Sequence, residues 1–258
     1  MPPTGPKQSP KDTYITVYGR KPVLEALADP ALSVDKVIAA EDLSRSALGP
    51  ILSAARERGV PVRRATAHRV KVLAGNGRHD QGVLADVVAP RMRLVTDFLA
   101  ALPAQAPCAL LVLDAVTNPA NVGMVLRSAT AAGVDGVLLP RRGVPAIDPL
   151  VIKASAGVAF RAPVLRSSTA AEGCAALRAA GVRVLGLDAR PGGSALFRDP
   201  LPERAALVLG NETDGLSPDV RAELDGTVAI PMRGGVESLN VASAAAVAAY
   251  ELMRLRRP

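Results

Sequence analysis

The spacing of apolar positions changes several times along the chain, and each change marks an element. Residues 21–28 carry apolar side chains at helical spacing, residues 34–40 read as a strand, and residues 48–58 are helical again until Gly59. A short strand is expected over 60–64, a brief helix over 68–73 and a strand over 82–88. Six short alternating elements predict a small α/β domain near the lower end of domain size. From residue 109 the alternation resumes with longer elements. Strands are expected at 109–113, 136–139, 183–187, 206–209 and 227–230, and helices at 122–132, 149–156, 169–180, 218–224 and 239–255. The last helix runs into Arg254, Arg256 and Arg257, cations that suit the negative end of a helix dipole. Apolar strands alternating with helices predict a parallel sheet under helical cover.

Between these runs the chain is punctuated by Pro and Gly. Residues 1–13 are expected to form a disordered tail, 14–90 the small domain, 91–106 a Pro- and Ala-bearing linker, and 107–258 the larger domain. Of the 258 residues 49% are hydrophobic but only 2% aromatic, so the core must be built from Ala, Val and Leu. The net charge of +7 suits a polyanionic partner such as RNA, although an Arg-rich composition alone would also produce it. Scarce aromatics argue against an aromatic stacking platform and for contact through phosphates and shape. Cys108 and Cys174 sit in apolar contexts with no Cys or His at ligand spacing, so neither a metal site nor a disulfide framework is expected. The first residues are not apolar and no apolar run reaches membrane-spanning length, which predicts a cytoplasmic protein without a membrane partner.

In a parallel sheet, ligands sit beyond the carboxyl ends of the strands. Three polar, Gly-rich clusters fall at those ends. In residues 114–127, Asn118 and Pro119 make a turn, and Asn121 is placed to cap a helix carrying Gly123 and Arg127. An amide and a guanidinium at one helix start suit a phosphate or a hydroxyl. In residues 209–218, Gly210 permits close backbone approach to a ligand, Gly215 a tight turn, and Ser217 with Pro218 a helix start, with the Glu212 carboxylate between them. In residues 230–243, Ile230, Pro231 and Met232 lead through Gly234 and Gly235 to Ser238, Leu239, Asn240 and a long helix. Taken singly, each cluster also reads as an ordinary capped helix with solvated charges nearby.

Together and in this order, the three clusters resemble the motifs of the SpoU–TrmH branch of the SPOUT methyltransferases. The run Ile152, Lys153, Ala154, Ser155, Ala156, Gly157 is similar to a further segment of that branch, and the resemblance extends over residues 107–257. Residues 18–27 and 80–85 are similar to the two ends of the L30e-like RNA substrate-binding domain found in many ribosomal-RNA members. Asn211 and Thr213 stand where small residues are common in the branch, and Ala242 where Ser is frequent.

The resemblance implies a C-terminal SPOUT domain folded as a trefoil knot, a homodimer with shared active sites, and S-adenosylmethionine as cofactor. It implies cofactor contacts from Gly210, Ile230, Met232 and Leu239, and a catalytic group of Asn121, Arg127, Glu212, Ser238 and Asn240. Arg127 is the branch's proposed catalytic residue; a guanidinium hardly deprotonates, so binding a phosphate and orienting the hydroxyl suits it better. Arg20, Lys21, Arg63 and Arg64 in the front domain are candidate RNA contacts, as are Arg69, Lys71 and Arg78. The implied activity is 2′-O-ribose methylation of RNA, with guanosine or uridine of 23S ribosomal RNA the favoured target. Transfer RNA as substrate, and an inactive RNA-binding protein of the same fold, are the alternatives. A methyltransferase for small molecules or proteins fits the basic charge and front domain less well.

Overall fold

The computed structural model describes residues 12–75, 80–188 and 194–254. The expected tail therefore lies outside the described residues apart from Asp12 and Thr13, as do Arg78, Arg256 and Arg257. Within the described part, Asp12 is fully buried and the Thr13 carbonyl accepts from the Ala89 amide at 3.0 Å, so these two residues pack with the first unit ahead of the expected boundary at 14.

Two compact units form: residues 1–90 with 147–149, and residues 91–146 with 150–258. The first contains β1 (Tyr14–Tyr18), α1 (Arg20–Ala28), β2 (Val34–Ala40), α2 (Arg45–Glu57), β3 (Val62–Ala65), α3 (Ala67–Ala74) and β4 (Val83–Val88). Its sheet has the order β1-β4-β2-β3, antiparallel except for the β2–β3 pair. Tyr18, Ile38, Ala40, Val70 and Leu84 form a core cluster inside it. Arg58, just past α2, donates to the carbonyls of Ala26, Leu27, Asp29 and Leu32, satisfying acceptors that the end of α1 leaves open. Strand β1 carries no clear alternation of polarity, and its place beside β4 comes from tertiary pairing.

The second unit holds β5 (Arg93–Leu94), α4 (Val95–Ala101), β6 (Cys108–Leu113), α5 (Pro119–Ala132), β7 (Gly136–Pro140), α6 (Pro149–Ala154), β8 (Val164–Ser167), α7 (Ala170–Ala179), β9 (Arg183–Leu187), β10 (Ser194–Ala195), β11 (Arg204–Leu209), α8 (Pro218–Ala222), β12 (Gly226–Ala229) and α9 (Val241–Arg254). The sheet order is β10-β12-β9-β11-β6-β7-β8-β5, and every pair is parallel. Strands β6 and β7 are buried along their whole length, which is why they read as continuous apolar runs.

Residues 91–106 are not a free linker. They form β5 and α4, and Val95 and Phe98 join the core of the second unit with Leu110, Val112, Leu138 and Leu165. The prolines that suggested a linker bracket the helix rather than interrupt it. Arg204 then fastens the following turn, donating to the carbonyls of Pro103 and Ala106 and to that of Ala180.

Candidate active site

The three clusters converge at the carboxyl ends of β6, β9, β11 and β12. Helix α5 starts three residues earlier than its apolar pattern suggests. Asn118, not Asn121, is its N-cap: the Asn118 carboxamide oxygen accepts from the Ala120 amide at 2.9 Å, and Pro119 occupies the first turn, where its missing N–H costs nothing. This corrects the expectation that Asn121 caps the helix.

Asn121 instead lies buried in the first turn of α5 and works sideways. Its amide nitrogen donates to the Glu212 carboxylate, and its oxygen accepts from Asn240 Nδ2 at 3.3 Å. One chain of side-chain hydrogen bonds thus ties together one residue from each cluster. Asn240 Oδ1 also accepts from the Ala242 amide at 2.9 Å, so the α9 start lies at Asn240 rather than at Ser238. Gly123 has a packing role: a Cβ there would lie 2.5 Å from the Val151 carbonyl oxygen and 2.7 Å from Ala154 Cβ. The Lys153–Gly157 run seats on α5 by this contact, with fully buried Ser155 bonded to the Ile152 carbonyl.

The loop after β11 is built by its own polar groups. Asn211 donates to the Ala115 carbonyl at 2.9 Å and accepts from the amides of Thr213 and Asp214. A glycine or alanine at position 211 could make none of these bonds, so Asn211 is a loop organiser here. Buried Asp114, at the end of β6, accepts from the Ser217 amide at 2.7 Å and anchors the far end of the same loop. Gly210 was expected to let a ligand approach, yet the close neighbour is the loop itself. A Cβ at Gly210 would meet Gly215 C at 2.3 Å and Leu216 N at 2.6 Å.

A cavity of about 350 Å³ opens between these loops. Leu187, Leu209, Gly210, Leu216, Ile230, Met232, Leu239 and Val241 supply an apolar lining, and Asp188, Asn211, Glu212, Thr213, Glu237 and Ser238 supply polar atoms. Its size lies within the range of small-molecule sites, and its lining divides about evenly between polar and apolar surface. Of the expected site residues, Gly210, Glu212, Ile230, Met232, Ser238 and Leu239 line it, while Asn121 holds Glu212 and is itself held by Asn240. Arg127 is not among the lining residues; it is exposed on α5 and makes no hydrogen bond or ion pair with another described residue. Sequence reasoning missed Asp188 and Arg221, which pair at 2.9 Å beside the cavity while Arg221 Nε donates to the Leu216 carbonyl. Neither residue falls in a cluster, so only the fold reveals the pair.

The front-unit cations differ among themselves. Arg20 is exposed and lines an open cavity with His68 and Lys71. Lys21 pairs loosely with Glu25 at 3.9 Å, and Arg63 is exposed. Arg64 donates to the Glu41 carbonyl at 2.8 Å, so its guanidinium serves the fold.

An all-parallel sheet with three motif loops around one strand-end cavity is the arrangement of an α/β ligand-binding domain, and the family matches give its class. The model of the SpoU rRNA methylase family matches residues 109–250, and that of the RNA 2′-O ribose methyltransferase substrate-binding domain matches residues 16–93. The chain belongs to the SpoU rRNA methylase family. It is 36% identical over 241 residues to a 23S rRNA (guanosine-2′-O-)-methyltransferase of Xanthomonas axonopodis pv. citri, covering 93% of this chain and 96% of that one. An uncharacterized tRNA/rRNA methyltransferase of Mycolicibacterium vanbaalenii is 36% identical over 249 residues, 95% of this chain and 78% of that one. Among solved structures, a SpoU methyltransferase from Streptomyces viridochromogenes in complex with AdoMet superposes with a TM-score of 0.59 at 25% identity, over 98% of this chain and 94% of that one. No helix among the described residues is long and apolar enough to cross a membrane.

Proposed function

We propose that the protein transfers a methyl group from S-adenosylmethionine to a ribose 2′-hydroxyl of 23S ribosomal RNA, on guanosine or uridine. The observation that carries this reading is the Asn240–Asn121–Glu212 hydrogen-bond chain set against a strand-end cavity that offers both apolar and polar surface. The residues present fit the cofactor: Leu209, Ile230, Met232 and Leu239 offer apolar surface, and backbone groups at Gly210 and Ile230 offer polar contacts without charge. S-adenosylmethionine supplies an already activated methyl group, so the protein must chiefly position two reactants and help the hydroxyl lose its proton. Glu212, held by Asn121, fixes one side of the ribose, with Ser238 and Asn240 beside it. Arg127 binds the adjoining phosphate, since a guanidinium presents five donors and hardly gives up a proton.

The exposed position of Arg127 supports a homodimer in which this side chain completes the partner's site. Met124 on α5 and Tyr250 on α9 are 40% and 47% exposed, an apolar surface suited to a second copy. A trefoil knot in the second unit, a domain division near residue 90, and a cytoplasmic location follow from the same reading. Arg20, Lys21 and Arg63 carry RNA contact in the front unit. Ribosomal RNA is favoured over transfer RNA because the substrate-binding domain is present and the ribosomal relative matches along nearly its whole length. The test is transfer of label from methyl-tritiated S-adenosylmethionine to an unmodified 23S rRNA transcript, followed by alkaline hydrolysis. Label in alkali-resistant dinucleotides is the expected result; label in mononucleotides, or none, overturns the reading.

A further inference from the structure

Phe197 departs from local backbone preference more sharply than its surroundings. It is the one bulky side chain among the four non-glycine described residues with positive φ, at 76°. A side chain with a Cβ is strained in that region, and such strain persists only where neighbouring structure imposes it. The surroundings do impose it. Leu196 is fully buried and its amide donates to the Ala229 carbonyl at 2.8 Å, while Asp199 accepts from the Ala195 amide at 2.9 Å. The amides of Arg198 and Asp199 both return to the Ala195 carbonyl at 3.1 Å. The result is a ring held out in water: Phe197 is 53% exposed, whereas Phe98 and Phe160 are buried.

The place of this ring gives it a meaning. Strand β10 pairs with β12 in the register Ala195 to Ala229, so Phe197 leaves the sheet level with the loop that begins at Pro231. Ile230 and Met232 of that segment line the candidate active site. Arg198 beside the ring and Arg233 on the neighbouring loop are both exposed, and neither has an ion-pair partner among the described residues. An exposed aromatic ring with one such arginine next in the chain and another on the adjacent loop matches the chemistry of single-stranded RNA, with a base to stack and phosphates to neutralise.

We infer that Phe197 is a base-stacking residue that holds a nucleobase of the RNA substrate beside the methyl-transfer cavity, with Arg198 and Arg233 on the flanking phosphates. The inference rests on the RNA methyltransferase reading and adds to it where one unpaired base is gripped. The chain contains no tryptophan, so Phe197→Trp creates a single fluorescent probe. Its emission should be quenched by an unmodified 23S rRNA transcript and should not respond to S-adenosylhomocysteine alone. Phe197→Ala should raise KM for the transcript about 10- to 100-fold, the range for losing one stacked base. Its kcat at saturating RNA and its S-adenosylmethionine affinity should stay within about threefold, the pattern for loss of uniform binding. Phe197→Tyr should restore KM. Phe197→Gly, which relieves the positive φ, should unfold at a higher temperature than Phe197→Ala yet share its KM defect. That separates binding from folding. Wild-type KM in Phe197→Ala, or emission that follows protein concentration rather than RNA, overturns the inference and in the second case assigns the ring to a contact between copies. A wild-type chain that does not methylate the transcript at all overturns the functional reading itself.

Discussion

Asn121 donates a side-chain hydrogen bond to the carboxylate of Glu212, ninety-one positions further along the chain. A buried amide thereby aims a carboxylate that is itself exposed at the cavity. A hydrogen bond to a charged group contributes about 1.5–3 kcal/mol, more than a neutral one, and a Gln at position 212 keeps an oxygen that can still accept from Asn121. Asn121→Ala should therefore lower both the melting temperature and turnover, and Glu212→Gln should lower turnover with a smaller loss of stability. In a double-mutant cycle on turnover the two effects should fall well short of additivity; strict additivity would mean that the two residues act separately.

The steric position of Gly210 leads to a second expectation. Because a Cβ there overlaps Gly215 and Leu216 of the same loop, Gly210→Ala should destabilise the protein by about 1–3 kcal/mol and weaken S-adenosylmethionine binding together. Calorimetry and thermal unfolding on the same preparation check it. Lost affinity with unchanged stability would place the close approach at the ligand instead of the loop.

The sheet was largely legible, and its exceptions have physical causes. Strands β6, β7 and β11 announce themselves as Val- and Leu-rich runs because both faces of a parallel sheet are covered, while β9 and β12 are shorter apolar stretches only partly buried. Strand β8 is hidden by Arg166, a charged residue buried within a four-residue strand, and β5 and β10 pair over only two residues each. At the site, the clusters could be read because their residues are local. The bond between Asn121 and Glu212 could not, since it exists only once α5 and the loop after β11 are side by side. Pro119 did carry the information that Asn118 is the cap, because proline favours the first helical position.

Arg127 should behave as a residue of the reaction and not of the fold. It is exposed and has no hydrogen-bond or ion-pair partner among the described residues, so Arg127→Ala should shift stability by well under about 1 kcal/mol. Single-turnover methylation at saturating RNA and cofactor should nevertheless slow by roughly two to four orders of magnitude. Arg127→Lys should recover little, because an ammonium lacks the planar fork. Near-wild-type rates in Arg127→Ala would remove it from the catalytic group.

Cys174 sets an alkaline limit. Burial above all, with the carboxylates of Asp114 and Glu223 adding to it, pushes its thiol from the ordinary 9.0 up to about 12. The unfolded thiol ionises first as pH rises, so the stability tied to the protonated form is complete below about pH 9 and is lost toward pH 12. Thermal unfolding of the wild type should therefore fall more steeply between pH 9 and 11 than that of Cys174→Ala, and the native thiol should resist alkylation at pH 8. Equal slopes would contradict the assignment.

The central claim is that this chain places a methyl group on a ribose of ribosomal RNA, and the most direct measurement is a nucleotide-resolution map of 2′-O-methylation. Total RNA from cells with and without the gene should differ at one position or a few adjacent ones in 23S rRNA. The missing mark should return on expression of the wild-type chain and not on expression of Arg127→Ala. Identical maps in the two strains, or a lost mark confined to transfer RNA, would contradict the account.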